Sequence, residues 1–151
     1  MDEPDSLGEA VEVTRKIIGC AFRVHQQLGS GFVEKVYQNA MAIELRDAGL
    51  AVRQQVPISV RYGDQVVGEF FADLLVEGEV VCELKAAVEI VAEHEVQLVN
   101  YLTATGKNVG LLLNFGKSVT VKRKYRVPAG RLSAKEADDA EYVVGLTFAH
   151  S

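Results

Sequence analysis

The sequence predicts a single α/β domain: a mixed β-sheet flanked by helices, in the order α-α-β-β-β-α-β-β. Three observations support this. Apolar residues recur at helical spacing over residues 7–28 and 32–48, alternate with polar ones from residue 52 onward, and return to helical spacing once more before two final strands. Glycine stands at nearly every change of period (Gly29-Ser30-Gly31, Gly49, Gly63-Asp64, Gly78, Gly106). The chain has 151 residues, 48% hydrophobic and 25% charged, which suits one core and leaves no room for a second. A domain of this length buries roughly 68–70% of its unfolded surface, so the fold requires no disulfide or structural metal.

The first helix rests on Val11, Ile17, Ile18, Ala21, Phe22, Val24 and Leu28, and the second on Val33, Val36, Tyr37, Ala40, Met41, Leu45 and Ala48. Gly49 is suited to a left-handed cap. Residues 52–62 alternate up to Gly63-Asp64, a hairpin signal, and Pro57 within them marks an edge or a bulge. Residues 66–76 (VVGEFFADLLV) are apolar on both faces, as in a central strand, and turn through Glu77-Gly78-Glu79 into residues 80–85. The third helix is expected over residues 86–105, followed by the buried strand VGLLLNF and the alternating, basic strand of residues 119–127. Beyond Pro128, Ser133 and Glu136 have the spacing of a capping box before a short helix, and YVVGLTF reads as an edge strand.

Composition excludes several classes. No apolar run approaches the ~20 residues of a membrane span. The N-terminus, MDEPDSLGEA, lacks the basic start and apolar stretch of a secretory signal, so the expected location is cytoplasmic. Cys20 and Cys82 have neither CxxC spacing nor histidine-rich surroundings and are expected to be reduced core thiols. The net charge of −5 hides an asymmetry, since residues 96–135 hold eight basic residues and no acidic one. Such a span suits a phosphate-binding face, and equally a solvated basic strand.

One carboxylate stands out. Asp73 interrupts an otherwise apolar strand, and an ionised Asp buried there is costly unless paired or metal-bound. On the next strand Glu83 and Lys85 are two apart and share a face. Whether Asp73 shares it depends on the hairpin: a three-residue loop, Glu77-Gly78-Glu79, sets Asp73 opposite Glu83, whereas a two-residue loop pairs Asp73 with Cys82 and turns Glu83 away. With the odd loop, the two carboxylates could hold a hard divalent cation, completed by the Leu84 carbonyl and water. Lys85 would then position the attacking water or stabilise the transition state of phosphodiester hydrolysis.

Asp73 followed by Glu83-Leu84-Lys85, with helices before and after, resembles the core of the PD-(D/E)XK nuclease superfamily. Gly31-Phe32-Val33-Glu34-Lys35-Val36-Tyr37, preceded by Val24-His25-Gln26-Gln27-Leu28-Gly29, is similar to the signature of the GxxExxY protein family. The resemblance spans residues 17–125. It implies a restriction-endonuclease-like core over residues 1–127 with a C-terminal extension over 128–151, metal ligands Asp73 and Glu83, and Lys85 as the catalytic lysine. It also implies that Glu34 helps bind the metal, as the helix-borne acid of many superfamily members does; the alternative is a favourable charge at a helix N-terminus. Tyr37 either hydrogen-bonds Glu34 or packs. Gln97 and Tyr101, at i and i+4, match the Gln-x-x-x-Tyr pattern of RecB-type nucleases, and His25 the early-helix histidine of the same group; both also suit structural roles. Superfamily members often have Pro before the first Asp, where this chain has Ala72.

The expectation is a Mg²⁺- or Mn²⁺-dependent nuclease acting on DNA or RNA, with Lys117, Lys122, Lys124 and Arg126 meeting phosphates and with self-association open. The rival is a non-catalytic module of the same fold that binds nucleic acid or a protein.

Overall fold

The structure is a computed structural model and describes residues 6–127. Helices α1 (Ser6–Leu28) and α2 (Glu34–Asp47) precede strands β1 (Val52–Tyr62), β2 (Gln65–Val76) and β3 (Val80–Lys85); helix α3 (Ala92–Thr105) and strands β4 (Val109–Phe115) and β5 (Val119–Tyr125) follow. The order is the one the hydrophobic periods predict. Helix α2 ends as Gly49 does best: with φ +86° it lets its own N–H reach the Arg46 carbonyl and the Leu50 N–H reach the Leu45 carbonyl.

The strands of the described residues form one five-stranded sheet with the spatial order β1-β2-β3-β4-β5. All neighbours are antiparallel except β3 and β4, which α3 connects in parallel. Helices α1 and α2 cover one face, where Ile17, Tyr37, Met41 and Leu45 pack on Leu74, Cys82, Leu84, Leu111 and Leu113. Helix α3 covers the other, where Leu98, Tyr101 and Leu102 meet Ala72, Leu75, Val81 and Leu112. Each fully buried leucine stabilises this arrangement by roughly 1.5–3 kcal/mol. Both cysteines are buried and free. Among the described residues no helix is long and apolar enough to cross a membrane.

Three expectations need correction. Helix α3 begins at Ala92, not residue 86. The Asn114 side chain grips Ala87 as a neighbouring strand would, accepting from its N–H at 2.9 Å and donating to its carbonyl at 3.0 Å, which keeps this segment non-helical. Strand β2 is central only in its second half: Val66, Val67, Phe70 and Phe71 are exposed, because neither helical layer covers the β1–β2 ribbon fully. Strand β5 stops at Tyr125, two residues early. Pro57 sits on the edge strand β1, and the ladder bulges between Val60 and Arg61. The expected helix after Ser133 and the strand YVVGLTF lie outside the described residues.

Candidate active site

The hairpin between β2 and β3 has the three-residue loop. Val76 pairs with Val80, Leu75 with Val81 and Leu74 with Cys82, so Asp73 and Glu83 are next in register. There backbone pairing gives way to side chains: the Asp73 N–H donates to Glu83 Oε2 at 2.8 Å, and the Leu84 N–H donates to Asp73 Oδ2 at 2.8 Å. Each carboxylate takes up a backbone donor of the opposite strand. The β1 side is irregular at the same level, since Gln54 pairs with Leu74 and Val56 with Ala72 but no pair joins Gln55 to Asp73, and Gln55 has φ +53°. Across this break the strand changes face. Leu74 and Val76 pack under α1 and α2, whereas Ala72 packs with Ile58 under α3.

Helix α2 supplies a residue that periodicity did not single out. Gln38 is buried, and its Nε2 donates to Asp73 Oδ1 at 3.2 Å while its Oε1 accepts from Lys35 Nζ at 2.8 Å and from Gln54 Nε2 at 3.3 Å. The signal was present, because Gln38 lies on the buried stripe with Met41, Ala42 and Leu45. Asp73 is thus oriented on both oxygens by neutral donors.

Glu83 is only 6% exposed. Burial first, and the facing Asp73 second, push its carboxyl up to about 8, against the opposing pull of the Asp73 N–H and Lys85. Among the described residues no salt bridge reaches either carboxylate, and a hard divalent cation is a group whose chemistry fits two oxygen donors held this closely. Among the described residues no third His, Cys, Asp or Glu closes on a common point with them. Lys85, two residues on from Glu83, is half-buried at the end of β3. Glu34 lies exposed in the first turn of α2; it and Lys85 both act electrostatically on His94, whose ring is shifted downward chiefly by desolvation and then by Lys85.

The remaining sequence-predicted residues divide. Tyr101 is buried under the sheet on the α3 side, its phenol's pKa shifted upward by burial and then by the charges of Glu83 and Asp73, and Gln97 lies one turn before it; both line a groove between α3 and the β1–β2 hairpin. His25 and Tyr37 are engaged elsewhere. His25 Nε2 donates to the Gly116 carbonyl at 2.8 Å, and Tyr37 Oη donates to the Gly29 carbonyl at 2.6 Å while its ring stacks on Phe115. Of the basic residues, Lys124 is paired with Glu95 and the Arg126 guanidinium with Asn108, which leaves Lys117 and Lys122 exposed.

Comparison with curated proteins finds no match. Among solved structures, the protein described as SSO0001 is similar with a TM-score of 0.53 at 15% identity, over 72% of this chain and 57% of that one. An alkaline exonuclease, LHK-Exo from Laribacter hongkongensis, is similar with a TM-score of 0.47 at 15% identity, over 76% of this chain and 64% of that one. The chain therefore spans less than two thirds of either solved chain. The likeness to SSO0001 is one of fold. The model of the PD-(D/E)XK nuclease superfamily matches residues 11–127, which contain the sheet, most of α1, all of α2 and α3 and the Asp73–Glu83–Lys85 constellation, and the chain belongs to that superfamily.

Proposed function

We propose that the chain is a divalent-cation-dependent nuclease that hydrolyses nucleic-acid phosphodiester bonds, and that within the superfamily it is one of the GxxExxY proteins. The observation that supports this best is the reciprocal clasp of Asp73 and Glu83 at the point where β2 and β3 part, with Lys85 on the face of Glu83. Asp73 and Glu83 would hold Mg²⁺ or Mn²⁺, which when bound supplies a Lewis acid for the phosphoryl group and lowers the pKa of water. Gln38 and the Leu84 N–H keep the Asp73 carboxylate from rotating. Lys85 directs the attacking water or offsets negative charge on the phosphate as it develops. Glu34, in the first turn of α2, would have an accessory role, its charge favouring the cation. Lys117 and Lys122 would meet phosphates outside the site.

The test is cleavage of labelled single-stranded DNA, duplex DNA and RNA with Mg²⁺, with Mn²⁺ and with a chelator, for wild type and for Asp73→Ala, Glu83→Ala and Lys85→Ala. Cleavage should require the cation and fall by orders of magnitude in all three variants while their circular dichroism is unchanged. Cation binding by calorimetry should vanish in Asp73→Ala. Cutting that survives in all three variants belongs to a contaminant, and a folded protein that binds nucleic acid without cutting it is the non-catalytic module.

A further inference from the structure

A groove of about 840 Å³ opens between the β1–β2 ribbon and α3. Its volume lies in the range of ligand pockets, roughly 300–1,000 Å³. Phe70 lines it from the ribbon and Tyr101 from the helix, their ring centroids 5.8 Å apart and the planes tilted by 42°. Phe70 is 41% exposed, so one face of its ring is not covered by the core. Around the rings stand the amides of Gln97 and Asn100 and the hydroxyl of Ser59, which offer donors and acceptors together. The charges of Arg61 and Glu93 on the lining oppose each other, leaving no excess positive charge for a phosphate. An aromatic surface edged by neutral hydrogen-bonding groups suits a flat, polar-edged heterocycle.

The groove neighbours the site through Tyr101 without sharing its carboxylates as lining. Ala72 and Phe70 project to the α3 side, and Phe70 is three residues from Asp73, about 10 Å at the rise of a strand. Tyr101 is within electrostatic reach of both Asp73 and Glu83. We propose that this groove receives an unpaired nucleobase of the strand whose phosphate meets Asp73 and Glu83, so that the substrate is single-stranded nucleic acid or a frayed end. An intact duplex keeps its bases inside the stack and fills the groove only by unpairing. This inference rests on the nuclease reading and specifies its substrate.

The experiment measures binding by the full-length chain, in chelator to prevent cutting, of three probes made as DNA and as RNA: a single strand carrying 2-aminopurine, an abasic strand of equal length, and a closed duplex. The base-bearing strand should bind about tenfold more tightly than the abasic one, as one stacked base allows. The duplex should bind more weakly than the single strand, and 2-aminopurine emission should change on binding. Phe70→Ala should remove the difference between base-bearing and abasic strands, and so should Asn100→Trp, which fills the groove from an exposed helical position. Equal binding of base-bearing and abasic strands in both DNA and RNA overturns the proposal, as does a difference that survives both variants. If cleavage depends on Asp73 while bases make no difference, the groove assignment alone fails. If base-selective binding occurs without cleavage under any cation, the nuclease reading alone fails.

Discussion

Glu83 keeps its proton where an ordinary glutamate would have lost it, because it is buried in the middle strand of the sheet and faces Asp73. The folded chain therefore holds a proton that the unfolded chain releases near pH 4.5. The stability associated with this group is fully present below that pH and is lost as pH rises toward about 8, the reverse of a salt-bridged carboxylate. Chemical denaturation of the metal-free protein should show Glu83→Gln gaining on wild type across that window, by on the order of 5 kcal/mol in total. Added Mg²⁺ at pH 8 should close the gap by stabilising wild type more than the variant. A difference between the two that is flat with pH would mean that Glu83 is already ionised in the fold. Cys82 lies beside these carboxylates, and burial followed by their charges raises its thiol, so it should resist alkylation in the native state.

Helix α3 stands close to the sheet because Gly110 has no side chain. A Cβ there would come within 2.8 Å of Leu98 Cδ1 and 3.0 Å of its Cγ, and Leu98 is fully buried with nowhere to retreat. Gly110→Ala should cost about 1–3 kcal/mol in urea unfolding. It should also weaken cleavage by displacing Tyr101, one turn on from Leu98; a neutral outcome would show that α3 can slide freely on β4. Much of this arrangement was legible in the sequence. Alternation placed Glu83 and Lys85 on one face, and hairpin parity tied Asp73 to Glu83 through the loop that the chain in fact adopts. The GxxExxY signature also has a physical reading: Gly31 takes φ +107° in the α1–α2 turn, Glu34 opens α2, and Tyr37 fastens the turn through the Gly29 carbonyl. What was hidden depends on distant partners. The apolar residues Ala86, Ala87, Val88 and Ile90 read as the start of a helix, and the Asn114 amide, supplied from β4, ties Ala87 out of that helix. Gln38 was missed because its partner Asp73 is 35 positions away. Phe70 and Phe71 read as core because nothing local reveals how little of the ribbon the helices cover.

Taken as one charged body, the protein is acidic, and its basic strand is partly neutralised from within by Glu95. With Lys117 and Lys122 the exposed cations of the expected dock, about two phosphate contacts give a log–log salt slope of roughly −1.4 to −1.8. Reversing both lysines to Glu should flatten that slope, whereas Lys124→Glu should change it little; a steep slope that only Lys124→Glu abolishes would restore the whole strand as the dock. The break in pairing between Gln55 and Asp73 has a further consequence, for hydrogen exchange. Amides of Leu74–Val76 and β3 belong to the buried sheet and should exchange only on global unfolding, while those of the exposed ribbon beyond Asp73 should exchange through cheaper local opening. Uniform protection along β2 would contradict this. If the two halves do open separately, Asp73 lies on the seam, fastened to the slow half by its N–H bond to Glu83, while Phe70 rides on the fast half. The part of the molecule that captures a strand can then yield to its irregularities without loosening the carboxylates that must stay still while the bond is cut.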